Sequence, residues 1–199
     1  MLKTFLNQQK GAMFGLDARI ALAIFGGLSV VMGAAMLQVM GDNRVDNILQ
    51  EHAKISSAVD ALQEDFRDNI DNALATVNDT ERYLALMEEA GFLAAFQGRW
   101  RGPYIPIKGA RNQHPNYGAM GLAPRQINTN NACLAATITS RNCYYNLVYT
   151  AVPLVTITAL NNRIDGTTET TPAAEGIIQW QNISGQNAQL FMRLGLVSP

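Results

Sequence analysis

The sequence predicts an α+β protein in which a long N-terminal helix is followed by a β-rich region. No proline interrupts residues 1–102, and apolar residues recur along the later part of this segment at helical spacing. From residue 97 onward Gly, Pro, Asn and Thr become frequent, and short runs rich in β-branched and aromatic residues replace the helical period. The 199 residues are enough for one domain with a core and an appended segment.

An apolar run over residues 20–40 predicts a membrane span. Between residues 20 and 37 only Ser29 is polar. A helix over residues 20–40 would be roughly 31 Å long, which is about the thickness of the hydrocarbon core of a bilayer. A signal peptide that is removed is the alternative, but the run is not followed by a convincing small-residue cleavage site. We expect a cytoplasmic N-terminus and an exported C-terminal part, because three basic residues precede the run: Lys3, Lys10 and Arg19.

The segment before the span is short, polar and basic, and it ends in Gly11 and Ala12. An acid, Asp17, lies directly before the apolar run, where a charge is costly unless it is paired or functional. This arrangement resembles the class III signal of type IV pilins and type II secretion pseudopilins. The resemblance implies that a prepilin peptidase cleaves between Ala12 and Met13 and that Met13 is then methylated. It also implies that Asp17, the fifth mature residue, sets the subunit register by pairing with a neighbour's terminal amine.

Two positions depart from the family pattern, which usually has Gly before the cut and Glu at the fifth place. Cleavage after Gly11 would restore the glycine but would make Asp17 the sixth residue. We favour cleavage after Ala12, because a charge in lipid needs its partner at the right height, whereas Ala and Gly are both small. An interfacial charge pair between Asp17 and Arg19 is the alternative role for the acid.

Beyond residue 41 the helix is predicted to continue to about residue 77 as an amphipathic stem. Apolar side chains recur at steps of three and four from Val45 to Val77, and His52 occupies one gap in this stripe. We expect the stripe to pack on the protein's own globular part; a coiled coil with another chain is the alternative. His52 is expected to be a stripe residue with one polar partner. A break with an N-cap at residues 78–80 then starts a second short helix that ends near residue 90.

The region after residue 97 is predicted to be a globular head. Strands are predicted over residues 135–139, 144–152, 154–160, 176–180 and 189–194, with a long irregular loop over residues 109–131. The segment from Trp100 to Tyr104 predicts a tight turn that packs an aromatic pair. It also resembles the W-x-G-P-Y segment that leads into the sheet of pseudopilins.

Residues 161–180 are similar to the acidic turn and strand that end pseudopilins, some of which bind calcium. Only Asp165 and Glu169 are nearby acids, which is too few to predict such a site. Cys133 and Cys143 are predicted to form a disulfide, because past the membrane they would lie in an oxidising compartment. Two free buried thiols are the alternative. Two cysteines and two histidines do not support an iron–sulfur cluster or more than a marginal zinc site, so no metal or cofactor is predicted.

Charge and motifs restrict the function classes. A net charge of −1 does not predict bulk nucleic-acid binding. The charge is divided, however: residues 42–89 contain twelve acids and four bases, and residues 90–199 contain eight bases and three acids. Staggered copies of such a chain can attract each other; a chance distribution of solvated faces is the alternative. No phosphate-binding glycine loop, G-x-S-x-G or HExxH motif is present in the sequence, so no enzymatic activity is predicted.

The resemblance as a whole implies a pilin-like fold, in which a long helix, half of it transmembrane, packs on an antiparallel β-sheet head. The expected parts are a leader (1–12), the transmembrane or filament-core half of the helix (13–41), the stem with a short second helix (42–96) and the head (97–199). The implied function is that of a structural subunit of a type IV pilus-like filament. Its implied partners are copies of itself, the prepilin peptidase, the membrane and the inner-membrane assembly machinery.

The expected location is the bacterial inner membrane, with the head in the periplasm, and then a periplasmic or extracellular filament. The long segment 109–131 favours the extracellular filament slightly. The alternative is an uncleaved single-pass membrane adaptor whose exported head binds a partner. A membrane-tethered enzyme, with a site that the sequence does not disclose, is the third hypothesis.

Overall fold

The computed structural model describes residues 6–107, 111–126, 133, 143–166 and 176–196, with backbone alone for 6–14, 16, 182–184 and 196. It divides into two units, Met1–Arg44 and Val45–Pro199. Both contain part of one continuous helix, α1 (Leu6–Phe66). A long N-terminal apolar helix and a C-terminal antiparallel sheet confirm the predicted α+β class.

Helix α1 ends at Phe66, earlier than the predicted end near residue 77. Arg67 adopts a left-handed backbone conformation with φ of 52°, and its N–H donates to the Gln63 carbonyl at 2.8 Å. The chain then turns into a one-turn helix, α2 (Ile70–Ala73). The helical spacing persists in the sequence past Phe66 because Ile70 and Leu74 face the same core after the turn, where both are buried.

Helix α3 (Asp79–Leu84) begins where the sequence predicts a break and an N-cap. The Asn78 side chain accepts the Glu81 N–H at 2.9 Å, which satisfies one of the free donors of the first turn. The helix is shorter than predicted, and another short helix, α4 (Ala94–Gln97), follows it.

Within the described residues, five strands form one antiparallel sheet. They are β1 (Gln113–His114), β2 (Gly118–Gln126), β3 (Cys143–Pro153), β4 (Ile178–Ser184) and β5 (Asn187–Leu196). Their spatial order is β1-β2-β3-β5-β4, so the last strand of the chain lies between β3 and β4. The pairing of Leu147 with Leu122 on one side and Met192 on the other illustrates the register of the three central strands.

Three of the predicted strands, 144–152, 176–180 and 189–194, coincide with or overlap β3, β4 and β5. Two predictions for the head are wrong. Residues 109–131 contain β1 and β2 rather than an irregular loop, and residues 154–160 belong to an eleven-residue helix, α5 (Leu154–Ile164), rather than to a strand. The predicted strand over residues 135–139 lies outside the described residues.

The core of the C-terminal unit lies between the amphipathic part of α1 and the sheet. From Val45 to Phe66 the apolar stripe of α1 is buried, as is the inner face of β3 and β5, which confirms that the stripe packs on the protein's own globular part. The predicted stripe positions that are buried are Val45, Ile48, Ile55, Val59, Leu62, Phe66, Ile70 and Leu74. Val77, the last position of the predicted stripe, is exposed.

A buried ion network joins the short helices to the sheet. The Arg82 guanidinium contacts the carboxylates of Asp71 and Asp79 and lies 3.4 Å from the Leu122 carbonyl. Burial lowers the pKa of Arg82, but the hydrogen bond and charge of Asp71 outweigh burial and raise it. Arg82 is therefore a charged core residue that depends on Asp71 for compensation.

Candidate functional site

The N-terminal unit presents an apolar surface that nothing in the described chain covers. Every described side chain from residue 17 to residue 44 is exposed, and the large apolar ones among residues 20–40 are between 47% and 73% exposed. Within the described residues, α1 is the one helix that is long and apolar enough to cross a membrane. One long apolar N-terminal helix could therefore span a membrane.

The few polar features of this run are local. The Ser29 hydroxyl donates to the Phe25 carbonyl at 2.7 Å, so the one polar side chain of the run makes its hydrogen bond within the helix. A Cβ built at Gly26, Gly27 or Gly33 would meet no atom within 4 Å. The absence of large side chains at these positions is thus not required by any contact within the described chain.

Asp17 lies exposed at the start of the apolar run. Within the described residues, neither Asp17 nor Arg19 takes part in an ion pair, so the two do not pair with each other. The backbone of Ala12 and Met13 is helical and belongs to α1. Their side chains, like residues 1–5 of the predicted leader, lie outside the described residues.

The C-terminal unit contains a cleft of about 750 Å³ along one side of α1. One wall is the polar face of α1, which contributes Asn47, Gln50, Glu51 and Lys54. The opposite wall comes from α3, the segment after it, β1 and β2, and its apolar side chains are Tyr83, Met87, Ile105 and Met120. Arg111 and His114 line one end, and Arg111 forms an ion pair with Glu88 at 2.8 Å.

Glu51 and His114, which line this cleft, meet the buried phenol of Tyr149, which does not line it. The Tyr149 hydroxyl of β3 donates to Glu51 Oε2 of α1 at 2.6 Å, and His114 Nε2 of β1 lies 3.6 Å from the same oxygen. The His114 ring stacks on Tyr117 at 4.5 Å and meets the Tyr149 ring edge to face at 5.7 Å.

The His114 imidazole of this cluster is held neutral. Burial lowers its pKa, and the nearby Glu51 charge opposes that effect only in part. His114 Nδ1 accepts the Asn116 N–H at 3.1 Å, which leaves the proton of the neutral ring on Nε2, facing Glu51. Burial, followed by the Glu51 charge, also raises the pKa of Tyr149 well above its ordinary value, so its phenol remains a donor.

Sequence reasoning missed this cluster. Glu51 and Tyr149 are 98 residues apart, and His114 lies in a segment predicted to be a loop. The one available signal was the position of Glu51 beside His52, where the polar face of the stem borders its apolar stripe.

His52 behaves as predicted, as a stripe residue with one polar partner. Its Nε2 donates to the Arg193 carbonyl of β5 at 2.7 Å. Burial lowers the pKa of His52, and the bond to the carbonyl compensates in part. A neutral His52 therefore ties α1 to the last strand.

The predicted aromatic pair is present at residues 100–104, although the backbone from Trp100 to Pro103 forms no regular turn. The Trp100 and Tyr104 rings meet edge to face at 5.9 Å, and Trp100 Nε1 donates to the Ala85 carbonyl at 3.0 Å. The Tyr104 hydroxyl donates to Asp65 on α1, and burial together with this bond raises the pKa of Tyr104 to about 12. Gly102 is required here, because a Cβ would lie 2.6 Å from the Trp100 ring.

Of the two acids considered for calcium, Asp165 has a role in the fold. The Asp165 carboxylate accepts the N–H groups of Ile177 and Ile178, at 2.9 Å and 2.7 Å, and so fastens the end of α5 to the start of β4. Glu169 lies outside the described residues. In the part of the chain that the structure describes, no group of three or more His, Cys, Asp or Glu could hold a metal ion.

The predicted disulfide between Cys133 and Cys143 is present, with the two Cα atoms 6.2 Å apart. The Cys133 N–H donates to the Pro124 carbonyl of β2 at 2.9 Å, and Cys143 is the first residue of β3. The bond thus links a residue that is hydrogen-bonded to β2 to the first residue of β3.

Comparison with other proteins gives no independent indication of family. No protein-family model, no curated protein and no solved structure matches this chain.

Proposed function

We propose that this protein is a structural subunit of a type IV pilus-like filament, assembled through the apolar half of α1. The observation that carries the proposal is the contrast within this one helix. From Val45 to Phe66 its apolar stripe is buried in the C-terminal unit, whereas its apolar residues 20–40 are covered by nothing in the described chain.

Such a surface is not stable in water and needs a lipid or protein environment. A contiguous exposed apolar area of this kind marks a membrane or protein interaction site. A bilayer would cover it before assembly, and the same segments of neighbouring subunits would cover it in a filament. One helix could therefore serve both as an anchor and as an assembly element.

Asp17 supports assembly over simple anchoring. A carboxylate at the edge of a membrane span is costly unless it is paired or functional, and this one has no ion-pair partner within the described chain. If cleavage leaves Met13 at the N-terminus, the terminal amine of a neighbouring subunit is a suitable cation. Pairing with it would set the axial register as each subunit enters the filament.

Mass spectrometry of the N-terminal peptide, from native membranes and from the sheared surface fraction, tests the processing step. A chain that begins at N-methylated Met13 supports the proposal, and a start at Ala12 would keep cleavage but shift Asp17 to sixth place. An intact N-terminus, in cells that process other prepilins, contradicts the proposal and favours the uncleaved membrane adaptor.

Exchange of a single carboxylate tests the register step. We expect Asp17→Asn to leave the membrane pool of processed protein unchanged and to reduce the protein in the sheared surface fraction severely. Asp42→Asn is the matched control, since Asp42 is an exposed acid at the other end of the same span. Normal filament yield from Asp17→Asn, or an equal loss from both variants, would show that Asp17 has no assembly role.

A further inference from the structure

The cleft beside α1 has the size and the wall chemistry of a small-molecule site. Its volume of about 750 Å³ lies within the range of ligand pockets, which are mostly apolar with a few convergent polar groups. All of its lining residues belong to the C-terminal unit. Filament assembly is not required for binding there.

The polar wall presents a carboxylate without a cationic partner. The Glu51 side chain is 32% exposed and lies within hydrogen-bond distance of the Tyr149 hydroxyl. Among the described residues, no Lys or Arg forms an ion pair with it, and its remaining neighbour, His114, is neutral near pH 7 because burial lowers its pKa. The carboxylate is therefore oriented by neutral groups while its charge stays uncompensated at the cleft.

The opposite wall suits a short apolar stem. Met87, Ile105 and Met120 are at most 8% exposed and line the cleft with their side chains. Methionine side chains adapt to irregular apolar partners. The Tyr83 hydroxyl is directed to the Met120 sulfur at 3.5 Å, so this phenol adds no charge beside the apolar side chains of the wall.

Among the described residues that line the cleft, two are Lys or Arg, and neither forms an ion pair with Glu51. Arg111 is engaged by Glu88 at 2.8 Å. Lys54 is exposed, lies three residues after Glu51 on the same helix and is not within ion-pair distance of it. Whether the cleft prefers a cationic or an anionic ligand therefore depends on the relative influence of Glu51 and Lys54. Replacing each of them with a neutral residue tests this.

We propose that this cleft binds a small organic ammonium ion, with the ammonium group donating to Glu51 and its carbon stem lying along Met87 and Met120. Carboxylates form charge-assisted hydrogen bonds with ammonium groups. The Tyr149 hydroxyl, which does not itself line the cleft, orients the Glu51 carboxylate by its hydrogen bond.

The test uses the full chain in lipid nanodiscs, with empty nanodiscs as the blank, and three probes of similar shape. They are 2-phenylethylamine, 2-phenylethanol and phenylacetate, measured by titration calorimetry at pH 7.5. We expect the amine to bind about fivefold more tightly than the alcohol, the advantage of one partly exposed ion pair. Equal binding of amine and alcohol, tightest binding of phenylacetate, or no binding at all would overturn the proposal.

Two variants assign the effect to its residue. Glu51→Gln removes the charge but keeps an acceptor for Tyr149. This variant should therefore bind the amine no more tightly than the alcohol, while its affinity for the alcohol stays unchanged. Lys54→Gln, the matched removal of a charge from the same helix face, should keep the advantage or increase it. An amine advantage that survives in Glu51→Gln would overturn the assignment.

Two further measurements complete the test. Added salt should weaken binding of the amine and leave binding of the alcohol unchanged, which checks the charge effect in the unaltered chain. Equal salt effects on the binding of both probes would count against a role for charge. N-acetyl-lysine methylamide carries the ammonium group on a peptide side chain. Tighter binding of this probe than of 2-phenylethylamine assigns the natural ligand to a lysine of a partner chain, and weaker binding assigns it to a free amine.

Discussion

Truncation of Leu62 tests whether the stem half of α1 is part of the core. The Leu62 side chain is fully buried within the main core cluster. Replacing it with Ala removes its transfer free energy and leaves a cavity, which together cost about 3–5 kcal/mol in well-packed cores. In a unit of this size each kcal/mol lowers the melting temperature by about 2–4 °C, so we expect Leu62→Ala to melt roughly 6–20 °C below the unaltered chain.

Leu37→Ala is the matched control, because it makes the same substitution in the same helix at a side chain that is 73% exposed. The assay is thermal unfolding of the full chain in micelles, followed by tryptophan fluorescence. Both tryptophans, Trp100 and Trp180, belong to the C-terminal unit, so the signal reports on that unit. We expect Leu37→Ala to leave its unfolding unchanged. Equal midpoints for the two variants would refute the view that the stem is a core element of this unit.

Three further predictions concern the same unit. The folded-state pKa of His52 is lowered from 6.5, so the unfolded chain takes up the proton first as the pH falls. The free energy of unfolding should therefore fall as the pH drops from about 7.5 to about 5.5, and it should fall less steeply in His52→Gln. Urea unfolding across this pH range measures both. Asp71→Asn leaves Arg82 buried without its main partner and should cost about 3–5 kcal/mol in urea unfolding, whereas Asp79→Asn, at a side chain that is 47% exposed, should cost much less. Gly102→Ala places a Cβ 2.6 Å from the Trp100 ring and should cost about 1–3 kcal/mol with altered near-UV dichroism, while Gly98→Ala, which has open space, should change neither.

The elements that sequence reasoning predicted well are those with a long, regular pattern. The apolar run and the amphipathic stripe identify α1, and the β-branched and aromatic runs identify β3 and β5. Helix α5 was missed because its sequence, rich in Leu, Val, Ile and Thr, also alternates as a strand does. Its buried side chains nevertheless follow helical spacing, at Thr156, Ile157, Leu160 and Asn161.

Strand β2 was missed because Gly, Ala and Pro dominate its sequence, GAMGLAPRQ. Packing explains part of this composition. A Cβ at Gly121 would lie 3.0 Å from the Asp79 side chain, so the start of α3 comes too close to β2 for a larger residue. Pro124 is tolerated because β1 pairs only with the first two residues of β2, which leaves the N–H side of Pro124 without a strand partner among the described residues.

The two candidate sites differ in how far the sequence could predict them. The exposed apolar run over residues 20–40 lies close to Asp17 in the sequence, so the hydropathy pattern alone located both. The Glu51 cluster depends on contacts between α1, β1 and β3, and such long-range contacts leave no periodic signal in one sequence. The end of α1 at Phe66 was equally hidden, since Arg67 adopts its left-handed conformation without being a glycine.

The position of β5 in the sheet has a consequence for biosynthesis. Strand β5, Asn187–Leu196, lies between β3 and β4, and its Arg193 carbonyl accepts a hydrogen bond from His52, 141 residues earlier in the chain. The sheet therefore cannot close until β5 has been synthesised, although β2, β3 and β4 all precede it in the chain. Until then the buried face of α1 lacks one of its main partners, so the growing chain needs protection from proteases and from premature contacts.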